Sequence, residues 1–287
     1  MPGVDINRTT IGVLLTPEES NEILQKTQED SAFMRLARRV TLPGVGSSIN
    51  VIVSDPEADW VAETGLKPVS NPTVSSKVMR PYKLAVIETF SDEFRRDKKI
   101  LYDALVKRIP GALARKFDNT IASGTSPGSD FDTLTTADAF DVSTATYAQL
   151  VAIDAAISGA HGNITQYAGS PAFKSILLGT VDTTGRPIFI PDANSSGTVG
   201  MVLGTHIYYN RGVYVAGTPN VLGFAGDFTQ AVWGTVEGVK ISITDQATIG
   251  KGDDAINLWQ QNMFAVRAEI EVGFRIADIA LFKKVTD

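Results

Sequence analysis

The chain has 287 residues, 43% apolar and 20% charged, which suits one large or two modest globular domains and is too apolar for disorder. A net charge of −6 and a pI near 5.1 argue against bulk attraction to nucleic acid. The absence of cysteine excludes disulfides, thiol nucleophiles and thiolate metal sites together.

Residues 1–15 read as an extended arm, without the basic leader and apolar core of a signal peptide. Thr16-Pro17-Glu18-Glu19 opens a helix over 17–28: a capping hydroxyl, a proline at the first helical position, then two acids at the positive end of the dipole. A second short helix is expected over 31–39, with Phe33, Leu36 and Ala37 inward and Arg35, Arg38 and Arg39 outward. Residues 49–53 (INVIV) read as a strand. From Asp55 to Arg80, prolines, glycine and serines interrupt short strand-like pieces around Trp60, so this stretch is a protruding hairpin or long loop. Loops of this length usually have a job. Residues 82–90 alternate as a strand.

Ser91-Asp92-Glu93 starts the main helix. Phe94, Leu101, Leu105, Ile109, Leu113, Phe117 and Ile121 keep one apolar face, and the face stays in phase across Pro110. A mid-helix proline costs about 3 kcal/mol, so a kinked helix is expected rather than two. Residues 123–145 form a loop rich in Gly, Ser, Thr and Asp. Thr144–Ser158 reads as a helix ended by Gly159, and Ser170-Pro171 starts another through Leu178. Residues 182–185 make a turn, and 186–225 hold short strands cut by Gly and Pro. Three strands close the chain, over 229–235, 238–245 and 260–277. In the last, Phe264, Val266, Ala268, Ile270, Val272, Phe274 and Ile276 alternate with small or charged residues. A period of two over that length defines a half-buried strand roughly 40 Å long, far beyond the usual five or six residues. No apolar run approaches the ~18 residues of a membrane span.

Catalytic motifs are absent. His161 and His206 read as loop or core residues rather than ligands, and two histidines cannot build a His-rich metal site. No G-x-S-x-G or G-x-G-x-x-G occurs, and Gly250-Lys251 is followed by glycine, so it is not a phosphate loop. Asp130, Asp132, Asp138 and Asp141 share one loop without calcium-loop spacing; a cation site is the weaker reading. Glu269 and Glu271 face the same way on the last strand, either as a solvated face salt-bridged to Arg267 and Arg275 or as a pair of working acids.

Three segments together resemble the major capsid proteins of tailed phages, the Hong Kong 97 fold. Val61-Ala62-Glu63 with Leu66-Lys67-Pro68 and Ser70 is similar to that family's extended loop. The long helix ending in Phe117-Asp118 before a Gly-rich turn is similar to its spine helix. GDFTQAVWG at 226–234, then EGVKISITD, then NMFAVRAEIEVGFRIADIALF at 262–282 is the most specific block.

The resemblance implies an α+β capsid fold: an N-terminal arm (1–41), an extended loop (49–84), a peripheral domain (85–125 and 230–287) and an axial domain (126–229). It implies a non-enzymatic shell subunit with no cofactor. Its implied partners are further copies in hexamers and pentamers, portal, scaffold and decoration proteins, and packaged double-stranded DNA. The implied location is the virion capsid, assembled in the host cytoplasm. An encapsulin-type nanocompartment shell around a cargo enzyme is the alternative within the same fold. The chain starts only some sixteen residues before its first helix, where many members carry a scaffolding segment; scaffold is then a separate protein, or none is used, or the sequence is a trimmed one.

Some members also join subunits through a Lys–Asn isopeptide bond with a Glu as base. The matching positions are Lys67, Asn262 and Glu269. Asn262 and Glu269 have opposite parity, so a complete site would need several subunits. The alternative is structural: ion pairs for Lys67 and Glu269, and a strand-end cap for Asn262.

Overall fold

The computed structural model describes residues 31–52, 58–67, 69, 74–91, 98–144, 147–181, 186, 199–250 and 255–287. The arm over 1–15, the helix over 17–28, the start of the main helix at 92–97 and the turn at 182–185 lie outside the described residues.

The chain opens with helix α1 (Ala32–Leu36), strand β1 (Arg38–Thr41) and a hairpin of β2 (Ser47–Ile52) with β3 (Val74–Met79). Strand β4 (Tyr82–Ser91) leads to the long helix α2 (Lys98–Ser123). Then come β5 (Asp138–Asp141), α3 (Tyr147–Gly159), β6 (Gln166–Gly169), α4 (Pro171–Gly179), β7 (Val199–Val202), β8 (Thr205–Tyr209) and β9 (Val221–Gly226). The last part holds β10 (Ala231–Thr235), β11 (Lys240–Thr244), the short pair β12 (Thr248–Ile249) and β13 (Ile256–Asn257), then β14 (Met263–Ile276) and β15 (Phe282–Thr286).

Strand β14, 14 residues long, organises the first sheet. On one edge it pairs antiparallel with β10 over 272–276 and with β11 over 265–269, so these two act as consecutive pieces of one broken strand. On the other edge β4 covers 263–272, and β1 runs parallel to β10. The period-two pattern sets the faces: Phe264, Val266, Ala268, Ile270, Val272, Phe274 and Ile276 are all buried.

The second sheet has six strands in the order β5-β15-β9-β6-β8-β7. One side packs under α3 and α4, with Leu150, Ile153, Ile157, Phe173, Leu177, Tyr167 and Ile207 in a closed cluster. The other side gives Ala168, Phe224 and Phe282 to the main core. The register of β9 on β15 slips by one residue at Val285/Thr286, leaving Leu222 as an extra residue. The slip turns Leu222 to the same side as Ala225.

The main core lies between the two sheets. Leu113, Phe117 and Ile121, spaced four apart on α2, pack there with the apolar face of β14. Phe33 of α1 sits at the centre, with ring centroids 5.9 Å from Phe224, 6.2 Å from Phe228 and 6.2 Å from Phe274. One residue thereby joins both sheets; burying each such ring contributes about 1.5–3 kcal/mol.

The helix α2 runs as one helix through Pro110, as its unbroken apolar phase implies. The expected helix over 31–39 is shorter than its pattern. It stops at Leu36, because Arg38–Thr41 pair with β10 instead, and this tertiary pairing overrides helix propensity. The segment 123–145 is not all loop: Asp138–Asp141 form β5 against β15. The chain also has a final strand that its sequence did not announce. β15 crosses into the six-stranded sheet after β14 ends, and residues 282–286 belong to that sheet by pairing with β5 and β9.

Candidate functional site

The outward face of β14 carries Arg267, Glu269, Glu271 and Arg275. Register places Lys83 of β4 opposite Glu271 and Ala85 opposite Glu269. The Lys83 ammonium lies 3.4 Å from Glu271 Oε1 and 3.9 Å from Glu269 Oε2, while Arg267 Nε lies 3.7 Å from Glu269 Oε2. Glu269 is 18% exposed and is neutralised by two cations of its own chain. On the other edge Lys240 stands opposite Glu269 in register but bonds Glu237 at 2.8 Å. The hydrogen bond to Lys240, and then its charge, hold the Glu237 carboxyl below its usual range; the same contact raises Lys240. Lys83, Glu237, Lys240, Glu269 and Glu271 line a cleft with Val236, Gly238 and Ile270, where the strand breaks between β10 and β11. Exposed pairs of this kind contribute at most about 1 kcal/mol each, so the cleft is a charged surface more than a source of stability.

The three positions expected for covalent joining are not gathered within one chain. Lys67 stands exposed at the end of segment 58–67 of the hairpin. Asn262 is exposed in a turn just before β14, with a left-handed φ of 54° that asparagine tolerates better than most residues. Glu269 lies seven positions further on, roughly 23 Å along an extended strand. Among the described residues the partners of Glu269 are Lys83 and Arg267, not Lys67. What the cleft offers chemically is a carboxylate, Glu269, held between two cations of its own chain.

Arg275 departs from the expected pairing. It does not meet Glu269 or Glu271. Its guanidinium bonds Asp132 Oδ1 at 2.7 Å and Asp130 Oδ1 at 2.8 Å. Those two aspartates are therefore occupied by a cation of the protein itself. Asp138 is bonded to Lys283 at 2.6 Å, and that bond holds its carboxyl below the usual range. Asp141 accepts from the Ser143 backbone N–H at 2.7 Å. Among the described residues no group of three acidic or histidine side chains could hold a metal. His161 occupies an exposed left-handed turn with φ 61°, and His206 is exposed on β8 opposite Met201.

One acid went unremarked as a site in the sequence. Asp118, fully buried on α2, accepts from Ser31 Oγ at 2.6 Å, Ala32 N–H at 2.9 Å and Phe33 N–H at 3.3 Å. It ties the entry of the chain to the long helix. Burial pushes its carboxyl up to about 7, against those three hydrogen bonds. The available signal was Asp118 itself, which lies between Ala114 and Ala122 on the flank of the apolar stripe, where a solvated acid is out of place.

A long helix laid across a long-stranded sheet, a second sheet under two short helices and a projecting hairpin is the architecture of phage capsid subunits. The structure overlays chains of the solved structures of Mycobacterium phage Ogopogo (TM-score 0.72, 18% identity, 90% of this chain and 92% of that one) and Mycobacterium phage Bobi (TM-score 0.70, 20% identity, 89% and 90%). It also overlays the "Capsid of empty GTA particle" (TM-score 0.66, 14% identity, 90% and 89%). In sequence the chain is 30% identical to the "Probable major capsid protein gp17" of Mycobacterium phage L5, over 95% of this chain and 89% of that one. It is 24% identical to the major capsid protein of Staphylococcus phage 80alpha, over 94% and 84%. Residues 11–287 match the phage capsid family, and the chain belongs to that family.

Proposed function

We propose that this chain is the major capsid protein of a tailed phage, closing as hexamers and pentamers into an icosahedral shell around double-stranded DNA. Family membership across nearly the whole chain carries this reading. The exposed hairpin supports it: Trp60, Leu66 and Val69 stand almost fully in solvent in a single chain, as contact residues awaiting a neighbour would. Heterologous contacts of this kind close into a shell by symmetry. The proposed division is an arm over 1–41, an extended loop over 49–84, a peripheral domain over 85–125 and 230–287, and an axial domain over 126–229. The strand β15 links the last two by pairing with β5 and β9. Portal, scaffold and decoration proteins are the further partners of such a shell, and its assembly belongs in the host cytoplasm.

The finer reading is that Lys67, Asn262 and Glu269 join neighbouring subunits. A neutral Lys67 amine would attack the Asn262 carboxamide carbon of another copy, forming a C–N bond. The Asn262 C–N bond would break and ammonia would leave, with Glu269 taking the proton from the amine and returning it to the leaving group. The separation of Asn262 from Glu269 supports a composite site that exists only after assembly. Denaturing gels of purified particles test this: a ladder of multiples that Glu269→Gln collapses is expected. A single band near 30.7 kDa from intact particles contradicts it.

A further inference from the structure

The hairpin β2–β3 forms a two-stranded sheet of its own, and segment 58–67 lies beyond it. Its direction depends on how its root meets β14. That meeting is built in two layers. The inner layer is apolar: Met79, fully buried, packs with Leu42 and Val232. Gly273 makes room for it, since a Cβ there would lie 2.7 Å from Met79 Cγ and 2.8 Å from the Arg80 carbonyl. The outer layer is ionic and centres on Arg275, only 11% exposed. Its Nε donates to the Val78 carbonyl of β3 at 2.7 Å. Its two terminal nitrogens donate to Asp132, Asp130 and the Ser129 carbonyl of the loop after α2. From the hairpin side, Lys77 Nζ donates to the Ile276 carbonyl at 2.7 Å, and Arg80 Nε lies 3.3 Å from Asp130. Tyr82, the first residue after the root, accepts at its hydroxyl from the Asp130 backbone N–H at 3.2 Å.

We propose that Arg275 is the positioning residue that fixes the direction in which the hairpin leaves the body, and so where segment 58–67 meets a second copy of this chain. Its last clause rests on the shell reading above. Among the described residues Arg275 donates from β14 to both β3 and the 129–132 loop, so one planar fork sets the angle between three segments, and Lys77 of β3 adds a bond to the Ile276 carbonyl and lies 3.8 Å from Asp132. A guanidinium holds several donors in fixed directions; an ammonium of the same charge does not. The main core packs on the opposite face of β14 from this fork, with Phe131 of the 129–132 loop reaching into it, so the hairpin is the first segment that losing the fork frees.

The test is hydrogen exchange on the full chain, comparing wild type with Arg275→Lys and Arg275→Gln, together with electron microscopy of the particles each forms. Arg275→Lys keeps the charge and is the milder variant. The expected result is about tenfold faster exchange at 47–52 and 74–79 in both variants, with β6, β9 and β15 unchanged, and malformed or missing particles. Unchanged exchange in both variants overturns the proposal. So does equal loss of protection in both sheets, which would make Arg275 ordinary support for the fold. Should wild type form no particles while the hairpin amides respond as expected, the shell reading falls and the role of Arg275 in aiming the hairpin stands.

Discussion

Asp118 sits under the entry of the chain, with Ser31, Ala32 and Phe33 all donating to it. Its carboxyl ordinarily titrates near 3.8 and is raised to about 7 in the fold, chiefly by burial. The folded chain therefore binds a proton that the unfolded chain releases at lower pH. Stability from this group is full below about pH 4 and is lost as the pH rises through about 7. Asp118→Asn removes that dependence and keeps an acceptor, so chemical unfolding of the unassembled chain is expected to lose its slope between pH 4 and 7. Asp118→Ala leaves buried donors unpaired and is expected to cost about 2–4 kcal/mol. An Asn variant as unstable as the Ala variant across that range would count against this account. Glu269 was legible by resemblance and Asp130 by composition; Asp118 was legible only as an acid out of place beside the apolar stripe, and its partner Ser31 was not, because the two meet only through the fold.

Strand β14 was legible at the scale of the element, since its alternation over Phe264–Ile276 needs no tertiary knowledge to assign both faces. The long helix was equally legible through the spacing of Leu113, Phe117 and Ile121. What could not be read were β5, β6 and β15. Four- or five-residue strands such as Asp-Ala-Phe-Asp carry too few alternations to stand out, and partners far along the chain specify them. The same limit applies to α1, whose helical pattern continued into residues that β10 claims. Two substitutions test the packing of these elements. Phe33→Ala removes the ring shared by both sheets and is expected to cost about 3–5 kcal/mol in unfolding free energy. Gly273→Ala places a carbon against the Met79 side chain and the Arg80 carbonyl, and is expected to cost about 1–3 kcal/mol because backbone cannot yield cheaply. A fully stable Gly273→Ala protein would mean that the hairpin root is not seated on β14 as described.

For the whole molecule, the distribution of polar and apolar surface matters more than any one cleft. The charged face of β14 is paired within the chain, while Trp60, Leu66 and Val69 of the hairpin stand exposed among the described residues. Such a surface gives many modest contacts, and repetition by symmetry makes them collectively stable. The central claim is that this chain closes a shell with its own copies. Electron microscopy of the purified full-length protein after expression tests it most directly. Closed hollow particles tens of nanometres across are the expected result, with DNA inside when taken from infected cells. A protein that remains a monomer or dimer under conditions where the relatives' shells assemble would contradict the account.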